Sequence, residues 1–203
     1  MTGFIFLVDL DGTLTRSELL PLIAKRFNLE KSIADLTYQC VWGKIPFAEG
    51  FLRRIDMLKS IPISHIKEII DTVVLNESLV SFMQHNVDSC YIVTGNLDVW
   101  VKPLCDKLKI PSFTSIAIHE NNFIQGVKSV LNKRDIIQKL KKNFSAKRFI
   151  AIGEGHNDAE MMELADVSIA YGGVHAPANS VMETASHVIF DEETLCTFLK
   201  QLS

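Results

Sequence analysis

The run Phe4–Val8, five apolar residues that lead directly into Asp9-Leu10-Asp11-Gly12, narrows the choice of fold more than any other stretch of this chain. A strand with no polar alternation is buried on both faces, which is the condition of a strand inside a parallel sheet. Open parallel sheets place their ligands outside the carboxyl ends of their strands, so chemistry is expected just beyond Val8. Side chains two apart on an extended chain point the same way, and Asp9 and Asp11 can therefore converge on one spot. Two such carboxylates repel unless a cation lies between them, and a hard divalent ion such as Mg2+ suits them best. A helix-loop-helix calcium site would need glycine and glutamate where Leu14 and Leu20 stand, which excludes that reading. The local sequence leaves an ordinary acidic turn after a buried strand as the alternative.

Composition removes several function classes. The net charge of -3 offers no basic footprint, so nucleic acid is not expected as a partner. With 47% hydrophobic and 22% charged residues, the 203-residue chain has the balance of a globular domain with room for an insertion. The N-terminal stretch lacks a basic region, and its apolar run is too short for a signal peptide or a membrane span, so a cytoplasmic protein is expected. Cys40, Cys90, Cys105 and Cys196 stand far apart, as reduced core thiols would rather than a zinc site or disulfide framework. The lysines of KLKKNFSAKR, residues 139–148, read as a solvated helix end.

Further apolar runs predict strands at Cys90–Val93, Phe113–Ile118, Phe149–Ile152, Val167–Ala170 and His187–Phe190. Helical periodicity lies between most of them, at Val99–Leu108, Lys133–Leu140 and Ala159–Leu164. Alternating strands and helices predict an α/β fold with a doubly wound, mostly parallel sheet. The connection from the first strand to the second, some eighty residues of helical pattern, exceeds what one crossover helix needs. Its last helix, near Ser78–His85, belongs to the core. The expected division is therefore a core of residues 1–15 and 78–203, with a helical cap, residues 16–77, inserted after the first strand. SIAIHENNFIQGV reads as a hairpin turning at Asn121-Asn122.

Three further strand ends carry reactive groups. YIVTGNLD places Thr94 and Gly95 at the expected start of a helix, where a hydroxyl and backbone N–H groups could hold an anion; a plain N-cap is the alternative. IAIGEGHND adds Glu154 and Asp158 and has aspartate where a dinucleotide fingerprint needs glycine. Adjacent strands ending in Asp9/Asp11 and Glu154/Asp158 would gather four carboxylates at one edge, which only a metal makes tolerable. Lys133, opening the helix that leads back to that strand, could meet a phosphate or offset these acids.

DLDGT, TGN, Lys133 and GEGHND, in that order, resemble the haloacid dehalogenase superfamily of aspartyl-phosphate hydrolases. The position and helical content of the cap are similar to the phosphoserine phosphatase branch. The resemblance implies a Mg2+-dependent phosphatase acting on a small-molecule phosphomonoester, as a monomer or homodimer. It implies Asp9 as nucleophile, Asp11 as general acid and base, and Mg2+ held by the Asp9 carboxylate, the Asp11 carbonyl and Glu154. It also implies a phosphate clamp of Thr94, Gly95, Asn96 and Lys133, with Asp158 behind the metal ligands. Glu18, nine residues after the nucleophile, and Arg54, in PFAEGFLRR, match positions that bind a substrate amine and carboxylate. Glu154 replaces the family's usual aspartate and Asn96 its usual glycine. GGVHAPANSV is similar to relatives that transfer the phosphoryl group to homoserine, which keeps a phosphotransferase open beside a hydrolase; the glutamate keeps open a protein that binds phosphoesters without turnover.

Overall fold

The computed structural model describes residues 3–202. Among these, one seven-stranded sheet is built from β1 (Phe4–Val8), β2 (Cys90–Leu97), β3 (Ser112–Glu120), β4 (Phe123–Ser129), β5 (Arg148–Gly153), β6 (Val167–Tyr171) and β7 (His187–Ile189), in the order β4-β3-β2-β1-β5-β6-β7. Every neighbouring pair is parallel except the hairpin β3–β4. The absence of alternation in β1 has its cause here, since Phe6 and Val8 join the core on one face while Ile5 and Leu7 join the core on the other. The chain winds away from β1 in both directions, through β2 and through β5. The crevice of a doubly wound sheet therefore opens at the carboxyl end of β1.

Between β1 and β2 come α1 (Leu19–Lys25), α2 (Glu30–Val41), α3 (Phe47–Leu58) and α4 (Ile63–Ile70), followed by α5 (Glu77–His85). The apolar stripes of α1–α4, among them Leu19, Ile23, Ile33, Phe51, Ile55 and Ile66, are continuous with the core on one face of the sheet. The remaining helices are α6 (Asp98–Leu108), α7 (Lys133–Asn143), α8 (His156–Met162), α9 (Asn179–Thr184) and α10 (Glu192–Leu202). All four cysteines are free and buried.

The expected hairpin is present, with Asn121 and Asn122 at φ of 49° and 71°, the left-handed pair that a two-residue turn demands. Asn122 also holds the start of α4, its carbonyl accepting from Ile63 N at 2.8 Å and its side chain from Ser64 N at 3.1 Å. One expectation fails at β2. The strand does not stop at Val93 but runs through Thr94-Gly95-Asn96 to Leu97, with a register shift against β3, and α6 begins only at Asp98. Ser115 Oγ donates to the Gly95 carbonyl at 2.6 Å and Leu97 is buried, so tertiary pairing keeps extended a segment whose sequence reads as a helix start.

The two segments joining α1–α4 to the core run antiparallel, bridged at Thr15 and Leu75 and by Arg16 N to the Val74 carbonyl at 2.8 Å. Buried Asn76 fastens them, donating from Nδ2 to the Thr13 carbonyl at 2.7 Å and accepting from Arg16 Nε at 3.0 Å, while Arg16 continues to Glu192 at 2.8 Å. Replacing Asn76 by alanine leaves the Thr13 carbonyl without its buried donor, and a loss of about 1–3 kcal/mol in urea unfolding is expected. An unchanged midpoint would show that this crossing does not brace the junction.

Candidate active site

The loop after β1 turns at Gly12, which sits at φ +69°. A Cβ there would also come within 3.1 Å of the Glu154 carboxylate and of His175 Nε2, so both the backbone turn and the space call for glycine. Asp9 N bonds the Ile152 carbonyl at 2.9 Å, extending the pairing of β1 with β5 by one residue and fixing where the Asp9 side chain emerges. Lys133, the first residue of α7, reaches that point from the side. The Asn132 side chain caps this helix by accepting from Arg134 N and Asp135 N.

Lys133 Nζ donates to Asp9 Oδ1 and, at 2.5 Å, to Asp158 Oδ1; the lysine is 3% exposed and Asp158 fully buried. Burial works against the lysine's charge, yet Asp158 and Asp9 hold its pKa above the ordinary value. The second oxygen of Asp158 accepts from Glu154 N at 3.1 Å and Gly155 N at 3.0 Å, so this carboxylate is fully engaged in holding the loop and the lysine. Burial pushes Asp9 well above the usual carboxylate range, with Asp158 and Asp11 adding to the rise and Lys133 opposing it.

Asp11 faces the other way. Its Oδ1 accepts from Leu19 N, at the start of α1, at 2.9 Å, and its Oδ2 accepts from the Asn96 amide and from Thr94 Oγ1 at 3.4 Å. Burial first, and then the charge of Glu18, raise its pKa to about 7. Thr94 and Asn96 thus meet Asp11 from the extended end of β2, with Asn96 N on Thr94 Oγ1 at 3.1 Å.

Glu154 is 2% exposed and its Oε2 accepts from Thr13 Oγ1. Burial lifts its pKa well above the ordinary value, reinforced by Asp9, Asp158 and Glu18. Carboxylate oxygens of Asp9, Glu154 and Asp158 lie within 4.8 Å of one another. Of these acids Asp9 and Asp158 pair with Lys133, and the oxygen-only donor set of Asp9 and Glu154 fits a hard divalent cation. A second trio, Glu18, Glu154 and His175, gathers within the same spacing, but there the imidazole pairs with Glu18 at 3.2 Å.

Asp9, Asp11, Glu18, Arg54, Gly95, Asn96 and Glu154 line one narrow cleft between the strand ends and α1–α3. Lys133, Thr94 and Asp158 stand immediately behind its wall. Arg54 is buried and spends two donors on the protein, Nε to the Gly50 carbonyl at 3.1 Å and Nη1 to Thr37 Oγ1 at 3.0 Å. Phe47, stacked on Phe51 with ring centroids 5.5 Å apart, lies over Gly95 where any Cβ would collide with its ring. Every site residue expected from the sequence thus converges here, although Gly95 does so from a strand and not from a helix start. Thr13 and His175 were not anticipated. Thr13 adjoins the DLDG motif and His175 follows a parallel strand's carboxyl end, the position that could have flagged it.

The family model for haloacid dehalogenase-like hydrolases matches residues 6–163. Phosphoserine phosphatase of Methanocaldococcus jannaschii is 23% identical over 209 residues, covering 98% of this chain and 97% of that one. The Homo sapiens phosphoserine phosphatase is 23% identical over 184 residues, covering 81% of this chain and 80% of the relative. The fold is shared with solved phosphoserine phosphatase structures at 22% identity: one with a phospho-aspartyl intermediate analogue has a TM-score of 0.84 and covers 100% of both chains, and one with bound substrate has a TM-score of 0.85 and covers 100% of this chain and 99% of that one.

The raised carboxyls give a signed pH effect. Because Asp9 and Glu154 sit above their ordinary values, the folded chain binds more protons than the unfolded one from the ordinary carboxylate range upward. Their contribution to stability therefore falls as pH rises toward neutrality, while the contribution of Lys133, with its pKa raised, is constant through that window. A bound cation offsets the penalty, so Mg2+ is expected to raise the Tm more at about pH 8 than at about pH 5, and Glu154→Gln should shrink the difference. Equal Mg2+ shifts at both pH values would mean that these carboxylates do not meet the ion.

Proposed function

Because the chain belongs to the haloacid dehalogenase-like hydrolases, we propose that it is a Mg2+-dependent phosphomonoesterase that works through an aspartyl phosphate on a phosphoserine-like metabolite. The observation that carries this reading is the division of labour between two acids of one loop. Asp9 is fixed against Lys133, whereas Asp11 sits apart with a pKa near 7, suited to giving and taking a proton at neutral pH.

An oxygen of Asp9 attacks phosphorus, the ester bond breaks, and the departing oxygen takes its proton from Asp11. The Asp11 carboxylate then takes a proton from water as the water oxygen attacks the same phosphorus, which releases inorganic phosphate and restores Asp9. Lys133 and Thr94, behind the cleft wall, would donate to the phosphoryl oxygens, and Asp158 keeps Lys133 oriented. Bound Mg2+, held by Asp9, the Asp11 carbonyl and Glu154, would supply the positive charge that lets an anionic nucleophile meet an anionic ester. The longer glutamate at 154 is accommodated by the Thr13 hydroxyl. Asn96 does not merely narrow the cleft, since its amide holds the proton-carrying Asp11. Helices α1–α4 act as a cap over this site.

Arg54 and Glu18 supply opposite charges to the cleft, which an amino acid's carboxylate and ammonium would match and a sugar would leave unpaired. Charge-assisted hydrogen bonds of this kind contribute about 1.5–3 kcal/mol each. Asp9→Asn is expected to abolish phosphate release with Mg2+ while leaving the fold intact; retention of about a tenth of the wild-type rate would refute the nucleophile. Phosphoserine should be hydrolysed in preference to glucose or glycerol phosphates. Arg54→Ala should cut kcat/KM for phosphoserine by about tenfold or more while hardly changing that for an aryl phosphate. Equal losses on both substrates would make Arg54 structural, and faster turnover of sugar phosphates would overturn the amino-acid reading.

A further inference from the structure

His175 lies in the loop between β6 and α9, residues 172–178, which is pinned at both ends by Gly172 N on the Ile189 carbonyl and Ala178 N on the Glu154 carbonyl, each at 2.8 Å. Its ring is held on both sides by acceptors. Nδ1 faces the Ala176 carbonyl at 3.1 Å and Nε2 faces Glu18 Oε1 at 3.2 Å. A carbonyl and a carboxylate are both acceptors, so the tautomer that carries its proton on Nε2 donates to Glu18. The side chains are 30% and 21% exposed, which leaves them at the cleft margin and not sealed in the core. Glu18 lines the cleft together with Arg54, and of the cleft's carboxylates it is the one that His175 approaches most closely, with a Glu154 oxygen 4.0 Å from the same Nε2. An ammonium entering the cleft would therefore share the Glu18 carboxylate with His175, which already meets its Oε1.

We propose that His175 sets the substrate selectivity of this site, as an internal N–H donor that competes with a substrate ammonium for Glu18. Resting on the phosphomonoesterase reading above, this deepens it: the competition weakens the preference for phosphorylated amino acids and admits phosphorylated hydroxy acids, which bring a carboxylate to Arg54 but no ammonium to Glu18. Selectivity is a difference between two affinities, and here the difference is reduced by what the empty site must give up before an amine can bind. His175 acts through Glu18 and touches no reacting atom.

The test uses two ligands that differ only in ammonium against hydroxyl, phosphoserine and 3-phosphoglycerate, with calorimetric Kd values measured in Mg2+ on the full chain carrying Asp9→Asn, so that no turnover intervenes. Adding His175→Ala is expected to tighten phosphoserine by about fivefold or more and to leave 3-phosphoglycerate within about twofold, the scale of one partly exposed charged hydrogen bond. His175→Gln, whose amide restores an N–H donor, should return the ratio toward that of the parent, and Glu18→Gln should cancel the gain. Equal changes for both ligands, or weaker phosphoserine binding without His175, would overturn the proposal while leaving the amino-acid reading in place. Failure of either ligand to bind any variant would refute that reading and this proposal with it.

Discussion

The ammonium of Lys133, enclosed between Asp9 and Asp158, decides how the strand ends can be arranged. Three buried carboxylates whose oxygens lie within 4.8 Å of one another would drive the carboxyl edge of β1 and β5 apart if no cation met them, and desolvation makes each charge more costly than it is in water. The lysine offsets part of this. Because it is the first residue of α7, the helix must end its approach at the sheet edge, and because Asp158 also accepts Glu154 N and Gly155 N, the loop after β5 is fixed by the same group. Removing either partner of such a buried pair costs about 3–5 kcal/mol. The charge that Lys133 leaves unmatched is what protonation of Asp9 and Glu154, or a divalent ion held by them, would offset.

A second chain of contacts ties the helical segment to this centre. Asn76 donates to the Thr13 carbonyl, the Thr13 hydroxyl donates to Glu154, and Leu19 N, at the head of α1, donates to Asp11. Asp11 and Glu154 therefore both feel the position of α1–α4. Any movement of these helices relative to the sheet would disturb Asp11 before it reached Asp9, which is held from the opposite side by Lys133.

The sequence made some of this legible and hid the rest for physical reasons. The buried run Phe4–Val8, the paired aspartates and the Asn121-Asn122 turn are local signals, each set by burial, by alternation along an extended chain or by backbone conformation. The convergence of Glu154 and Asp158 on Asp9 followed from strand adjacency alone. The continuation of β2 through Thr94-Gly95-Asn96 did not, because it depends on Ser115 meeting the Gly95 carbonyl across the sheet. His175 was partly hidden: its place after the carboxyl end of β6 could have flagged it, but its pairing with Glu18 joins residues 157 positions apart and leaves no local signal.

The central claim, that Asp9 carries the phosphoryl group, is most directly tested by acid-quenching the enzyme in mid-turnover with a phosphomonoester and Mg2+, then mapping the added phosphoryl mass by peptide mass spectrometry. The account predicts a modification confined to the peptide that contains Asp9 and lost on treatment with hydroxylamine, as an acyl phosphate is. Rapid phosphate release with no modified peptide, or a phosphoryl group on another residue, would contradict it.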